Sequence, residues 1–435
     1  LLQPERLSPM SPLLVIVSIV LVDLLGFSLV MPLLPRYAEL YGFDERMIGA
    51  LLAAFPLCQL VAGPVLGRLS DRFGRRPVLL ISQVGTTASF LIIGLSVSFP
   101  LMLLGRMLDG FSGGNILVAQ AYIADVTRPE ERSKGLGLIG AAFGVGFVLG
   151  PLLGGVLVSL PIDPTWQLRL PFLVAAGFST ISWILTIFWL PESRKPVEVE
   201  GDEGGGPVPP RAVAESRAPS WLGIFRVVGD RKAGPLVLLG SLLVLSFASL
   251  EGTFSLYLER RMGWSAGPAA YWFAALGLVS AVMQGGLIRR LVPRFGEPRL
   301  IPAGLIMLAI GLATMAVSGS VLGLVMAVVL VGLGQGMSGP TISGLLSRSV
   351  SADRQGRIFG ALLSAQTLAR LINYQASNEL LGRFGPAAPY WLGAGIGGLA
   401  LLLCPWAIRA ARSPSRPPSG RVHAGVPADP AARDR

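Results

Sequence analysis

The chain has 435 residues, 52% of them apolar and only 14% charged, with a mean hydropathy of +0.63. A water-soluble domain carries roughly a quarter charged residues, so this composition excludes a soluble enzyme and points to an all-α bundle embedded in a membrane. The net charge is +11, yet the basic residues are spread over short loops rather than clustered as nucleic-acid binding would need; the single histidine, His423, lies in a polar tail, and Cys58 and Cys404 sit in separate apolar runs, which excludes a disulfide framework and a zinc site.

Crossing roughly 30 Å of hydrocarbon takes about 20 apolar residues in a helix. Twelve stretches qualify: 12–35, 46–69, 77–97, 100–125, 134–160, 170–190, 233–258, 267–292, 298–318, 320–348, 354–382 and 388–410. The first lacks a small-residue cleavage site and carries Asp23, Pro32 and Pro35, so it is expected to be a retained helix and not a signal peptide. The polar stretch 191–232 separates spans 6 and 7. Within it GDEGGGPVPP (201–210) predicts a flexible or extended linker, and 221–228 a short interfacial helix. The expected organisation is a six-helix bundle over 1–190, a cytoplasmic linker over 191–232, a second six-helix bundle over 233–410 and a disordered cytoplasmic tail over 411–435. The loops after spans 2, 4, 8 and 10 hold 14 Lys and Arg, against six on the opposite side: Arg36, Arg46, Arg169, Arg260, Arg261 and Arg383. The positive-inside rule then places both termini in the cytoplasm.

A charge at mid-helix in a membrane is costly and usually marks function. Five stand out: Asp23 in span 1, Arg106 and Asp109 in span 4, Glu251 in span 7 and Arg370 in span 11. Arg106 and Asp109 are three apart and share a helical face, which suits either a static ion pair or a carboxylate tuned to exchange a proton. With no core histidine, carboxylates are the expected proton carriers. Glu251 shares a face with Phe254, a pairing that suits a cationic or amphipathic ligand. Arg370 lies beside Asn373 and Tyr374, where it is placed to meet an anionic substrate group or Glu251 across a cavity. Gln284 and Gln335 are further polar residues in apolar helices. Each of these also fits plain helix-to-helix hydrogen bonding. Span 5 repeats small-xxx-small spacing through Gly146, Gly150 and Gly154 around Pro151, a pattern for close helix packing or a hinge.

An offset of 222 residues aligns GRLSDRFGRRPVLL (67–80) with RRLVPRFGEPRLI (289–301), and Gly110 and Gly114 with Gly332 and Gly336. Duplicated halves around a midplane site are a hallmark of secondary transporters. At the same offset Asp23, Arg106 and Asp109 meet Leu245, Val328 and Val331, so the intramembrane chemistry is concentrated in the first half.

GRLSDRFGRRPVLL (67–80) resembles the signature cytoplasmic loop of the major facilitator superfamily. LLGRMLDGFSGGN (103–115), GVGFVLGPLLGG (144–155), VDLLGFSLVMPLLP (22–35) and LPES (190–193) are similar to its span-4, antiporter, span-1 and span-6 motifs. The branch most resembled is the drug/proton antiporters, tetracycline-resistance-like group. This implies twelve helices in two pseudo-symmetric six-helix bundles and a monomer in the inner or plasma membrane. It also implies a conformational latch at Gly67, Asp71, Arg72, Gly74, Arg75 and Arg76 that holds the outward-facing state, and proton coupling through Asp23, Arg106 and Asp109. Recognised tetracycline exporters carry acids in spans 3 and 9; the runs 85–94 and 298–318 have none, and Asn373-Tyr374 stand where many relatives have Gly-Pro.

The expected function is proton-coupled export of a small amphipathic, drug-like molecule, a cation being one option. The alternative is a facilitator or importer of a polar metabolite on the same fold. No nucleophile–base pair appears, and the glycine run 204–206 lacks the Lys and Ser/Thr of a nucleotide loop. The partners expected are a small-molecule substrate and the bilayer, without metal, nucleic acid or any cofactor other than the coupling proton.

Overall fold

The computed structural model describes residues 11–128, 131–193 and 227–412. The 201–210 linker, most of the 221–228 segment and the tail beyond 412 lie outside the described residues.

In the first half, α1 (Pro12–Val30) starts on Ser11, whose hydroxyl accepts from the Leu14 amide, and ends where Pro32 interrupts the helical hydrogen bonds. The chain resumes as α2 (Leu34–Leu40). Asp44 caps α3 (Glu45–Phe73) by accepting from Met47 N–H at 2.8 Å. Then follow α4 (Arg75–Leu95), α5 (Phe99–Ser112), α6 (Asn115–Val126), α7 (Arg132–Val158) and α8 (Pro164–Trp189). The second half comprises α9 (Ala233–Met262), α10 (Ala266–Val282), a π-helical turn over Met283–Leu287, α11 (Ile288–Phe295), α12 (Glu297–Val317), α13 (Val321–Ser349), α14 (Ala352–Phe384) and α15 (Ala388–Arg412).

Among the described residues ten helices are long and apolar enough to cross a membrane. The remaining two predicted spans differ for separate reasons. Span 4 is not one helix: it breaks at Gly113-Gly114 into α5 and α6. Span 11 is a single helix, α14, that carries many polar residues along its length.

The 222-residue repeat is visible in the backbone. Gly74 (φ 100°) separates α3 from α4, and Gly296 (φ 74°) separates α11 from α12. Only glycine adopts such angles freely, so the motif keeps its glycine in both halves. Ser96 accepts from the Ser98 amide, and Ser318 from the Ser320 amide, each at 3.2 Å. Tyr37 donates to Gly94 and Ser96 carbonyls, and Tyr257 to Met315 and Ser318 carbonyls, so both halves close the end of their third span in the same way.

Within the first bundle α1 packs on α7 and α8, and α3 and α4 pack on α5; within the second, α9 packs on α14 and α15, and α12 on α13 and α15. Two seams join the bundles, α3 against α14 and α7 against α10. The spacing of Gly146, Gly150 and Gly154 serves α1. A Cβ at Gly150 would lie 2.0 Å from Ser28 Oγ and 2.8 Å from Leu29 N, while Ser28 Oγ donates to Gly146 O at 2.7 Å. Gly277 on α10 performs the same service at the seam, its place for a Cβ being 2.5 Å from Phe147 O.

On the face opposite the basic loops the bundles are shut. One apolar cluster crosses the seam, joining Leu29, Leu52 and Ala53 to Ala248, Leu256 and Leu381. Above it lies a ring of inter-bundle ion pairs: Arg260 with Glu39 (3.1 Å) and Glu45 (2.7 Å), Arg46 with Glu379 (2.8 Å), and Arg36 with Glu259. Arg383 joins Glu379 from its own helix. The remaining arginines of that face are also engaged, Arg169 with the Tyr41 hydroxyl and Arg261 with the Val317 and Ser318 carbonyls.

Two outcomes follow from this packing. Gly150→Leu forces α1 off α7 and lowers the melting temperature of the detergent-purified protein, by the equivalent of about 1–3 kcal/mol or more, whereas Gly140→Leu, with nothing within 4 Å of its Cβ position, leaves it unchanged. Equal loss in both would refute the assigned contact. In a background free of Cys58 and Cys404, Arg46→Glu raises labelling of a cysteine placed at Leu52 about two- to fivefold, and adding Glu379→Arg restores protection. Failure of the swap to restore it would show that this pair does not contribute to closing the face.

Candidate functional site

The two bundles enclose a cavity of about 540 Å³, within the range that holds drug-sized molecules. It reaches Gly67 on α3 and Gly360 on α14, next to the basic loops, and ends below the closed face. Most of its wall is apolar, with a few polar and charged side chains set into it.

Asp23 and Phe27 share one face of α1, four residues apart, and both line the cavity. Asp23 Oδ2 accepts from Asn115 Nδ2 at 3.0 Å, while Oδ1 is buried without a hydrogen-bond partner. The break at Gly113-Gly114 is what starts α6 on Asn115 and brings its amide to Asp23. Gln83 and Ser182 border the same carboxyl. Gln83 donates to Ser182 Oγ at 2.8 Å, and its own Oε1 is buried without a donor.

Arg106 and Asp109 form a closed pair. Nη1 meets Asp109 Oδ2 at 2.8 Å, Nε donates to Leu51 O at 3.3 Å, and the guanidinium lies over the Phe55 ring, 4.9 Å from its centroid. Gly110 permits this arrangement: a Cβ there would be 2.4 Å from Phe55 O, so α5 lies directly against α3. The pair's side chains are 6% and 4% exposed, which leaves little of either charge facing the void.

The second bundle supplies Glu251, Arg370 and Tyr374. Arg370 Nε donates to Glu251 Oε2 at 3.2 Å, and the Tyr374 hydroxyl donates to the same oxygen at 3.2 Å. The expected meeting of Arg370 with Glu251 is therefore made, between α14 and α9 of one bundle. Phe254, Gln284, Gln335 and Asn373 lie off the cavity lining. Phe254 packs edge-on against Phe273 in the second bundle's core, and Asn373 ties α14 to α9 through Leu245 O (2.7 Å) and Ser249 Oγ (3.0 Å). Gln284 sits exposed in the π-helical turn, and Gln335 is half-buried on α13 with its Oε1 lacking a donor.

The loop at 67–76 is fastened to its own bundle. Arg75 bridges Asp71 (2.8 Å) and Asp125 (3.1 Å), and Arg76 donates to Ile187 O at 2.5 Å. Glu192 accepts from the Arg75 and Arg76 amides at 2.9 and 3.0 Å, capping the positive end of α4. Gly74 gives Glu192 room, since a Cβ there would lie 2.5 Å from its carboxylate. Arg72 lies over the Phe73 ring, and Gly67 faces open space.

Sequence reasoning missed the aromatic wall. Phe27 lies 5.2 Å from Phe55 and 6.4 Å from Phe147, which is 6.3 Å from Phe143. It also missed Gln59, Asn115, Gln120 and Gln366 as lining residues. Asn115 alone left a signal, a polar residue directly after a Gly-Gly break in an apolar stretch.

Residues 16–374 match the Major Facilitator Superfamily. The chain is 32% identical to the class C tetracycline resistance protein of Escherichia coli, covering 91% of this chain and 96% of that one. It is 29% identical to multidrug resistance protein 1 of Bacillus subtilis, covering 76% and 80%. Among solved structures it resembles the human organic anion transporter MFSD10 (TETRAN), with a TM-score of 0.65 and 27% identity over 90% of this chain and 98% of that one. A D-xylose–proton symporter shares the fold, with a TM-score of 0.71 at 19% identity over 90% and 96%. The duplicated helical architecture, the central cavity and the extent of these matches lead to one conclusion: the chain belongs to the Major Facilitator Superfamily.

Proposed function

We propose that this multi-pass membrane protein exports a small amphipathic molecule in exchange for protons, by alternating access of the cavity to the two sides. Its relatives are named as tetracycline and multidrug resistance proteins, which supports export of a drug-like compound. The basic face would lie in the cytoplasm with both termini, the protein acting as a monomer with the proton as its coupling ion. In this conformation the cavity would then load from the cytoplasm.

The observation that carries the proton assignment is a buried carboxylate at the cavity wall, with Asn115 donating to one oxygen and no donor on the other. Asp23 Oδ1 and Gln83 Oε1 are both buried acceptors without a donor, grouped with Ser182. A proton on Asp23 supplies the donor that this cluster lacks. Removing that proton leaves an unmatched buried oxygen, which a bound substrate or a change of facing state must compensate. Arg106 and Asp109 act differently in this scheme. Their closed pair joins α5 to α3 through Leu51 O, so it holds the cavity wall in shape while Asp23 exchanges the proton.

The test is proton release from unbuffered, detergent-purified protein on adding candidate drugs and polar metabolites. Wild type releases protons on binding its substrate; Asp23→Asn binds without release and melts near the wild-type temperature. Asp109→Asn leaves Arg106 as an uncompensated buried charge and lowers stability by roughly 3 kcal/mol. Wild-type binding with no release would overturn antiport in favour of a facilitator, and release that persists in Asp23→Asn would move the proton to another group.

A further inference from the structure

The closed face carries a chain of alternating charges that runs back and forth across the seam. Arg36 Nη1 meets Glu39 Oε2 at 2.7 Å and also Glu259 Oε2. Arg260 Nη2 meets Glu39 Oε1 at 3.1 Å and Glu45 Oε1 at 2.7 Å. The order is therefore Glu259, Arg36, Glu39, Arg260, Glu45, with Glu259 and Arg260 on α9 and the others on α2 and α3. The chain begins and ends on an acid, so three carboxylates share two guanidinium groups. Among the described residues, the other charged groups of this face are committed elsewhere. Arg46 and Arg383 meet Glu379, Arg169 the Tyr41 hydroxyl, and Arg261 the Val317 and Ser318 carbonyls. Asp44 and Asp163 cap α3 and α8, and the Tyr37 and Tyr257 hydroxyls donate to backbone carbonyls. The chain is left one positive charge short.

The odd charge falls on Glu39 and Glu259. Their carboxyl groups border one another and share a single nitrogen of Arg36. Each stands in the last turn of its helix, α2 and α9, where the negative end of the helix dipole adds to their mutual repulsion. Glu45 stands in the first turn of α3, where the dipole favours its charge. Glu259 Oε2 is buried and accepts no hydrogen bond beyond its ion pair with Arg36. A proton placed between the two acids turns a like-charge contact into an O–H···O⁻ bond across the seam, one of the strong charge-assisted kind. The two side chains are 29% and 31% exposed, so water at this face reaches them while the apolar cluster beneath seals the cavity. We propose that Glu39 and Glu259 bind one shared proton at the closed face, at a site separate from Asp23, and that this proton locks the two bundles together there. Closure then strengthens as the pH at that face falls and weakens as it rises. The lock requires alternating access but not exchange of protons for substrate, so the two readings fail separately.

The test measures the width of this face against pH in the full-length, detergent-purified protein freed of Cys58 and Cys404. Spin labels go on Ile162→Cys, between α7 and α8, and Phe384→Cys, at the end of α14, both exposed positions on opposite bundles. Pulsed electron paramagnetic resonance then gives the ratio of open to closed forms. That ratio is expected to rise about tenfold from pH 5 to pH 8. Glu259→Gln, whose amide donates to Glu39 at every pH, holds the ratio low and flat. Glu39→Gln does the same from the other bundle, and decides the matter if Glu259→Gln does not fold. Asp23→Asn keeps the wild-type dependence. Three results would overturn the proposal: a wild-type ratio that does not move with pH, a dependence that survives in both glutamine variants, or its loss in Asp23→Asn, which would assign it to the cavity acid. An intact pH-dependent lock in a protein that releases no protons on binding substrate would sink antiport and leave this assignment standing.

Discussion

The constraint on which this structure depends is the cost of placing charge where water is scarce. An apolar slab roughly 30 Å thick leaves few ways to keep an ionised side chain. The chain uses three of them. Arg106 and Asp109 close on each other and on Leu51 O, sealed by Phe55. Glu251 withdraws behind Arg370 and Tyr374. Asp23 keeps a single amide partner and an unmatched oxygen. The first arrangement is saturated and gives rigidity. The second is half open. The third is incomplete by one donor, the condition in which binding or releasing a proton changes most.

The same constraint shapes the two faces. The six arginines opposite the basic loops run against the charge bias of the short loops, yet each has a partner. Three of them, Arg36, Arg46 and Arg260, cross from one bundle to the other. Single exposed ion pairs contribute about 0–1 kcal/mol, so none of them alone would hold the bundles. Their effect comes from sitting above an apolar cluster that also spans the seam, where they fix the register of a contact driven by burial. Glycine makes rigid-body motion feasible. Gly150 lets α1 and α7 touch within one bundle, and Gly277 lets α10 touch α7 across the seam, so tight units meet at narrow joints.

Much of this was legible in the sequence, and the rest was hidden for identifiable reasons. The spans and the duplication were readable because hydropathy and a fixed offset are local signals; Gly74 and Gly296 proved to be matched positive-φ breaks. The pairing of Arg106 with Asp109 followed from helical spacing. The facing of apolar helices did not follow. A helix apolar all round gives no moment to orient it, so Phe254 and Asn373 read as cavity residues but turn into their own bundle. The aromatic wall was invisible because Phe27, Phe55 and Phe147 lie on three helices and look like ordinary span residues. The ionic ring was counted only as topology, since its partners lie more than 200 residues apart, as with Arg46 and Glu379. Glu192 passed as the end of a span, although it caps α4.

The two halves keep their shared architecture where shape matters and differ where chemistry does. Matched glycines, matched serine turns and paired tyrosines preserve the bundle's outline in both copies. Asp23, Arg106 and Asp109 have no charged counterparts in the second copy, which brings Glu251 and Arg370 instead. A substrate held by both walls therefore touches two unlike chemistries at once. A ligand shifts a conformational equilibrium only by its difference in affinity for the two states. A ligand that touches both walls meets that condition directly, because the gap between the walls is what changes when two such bundles rock.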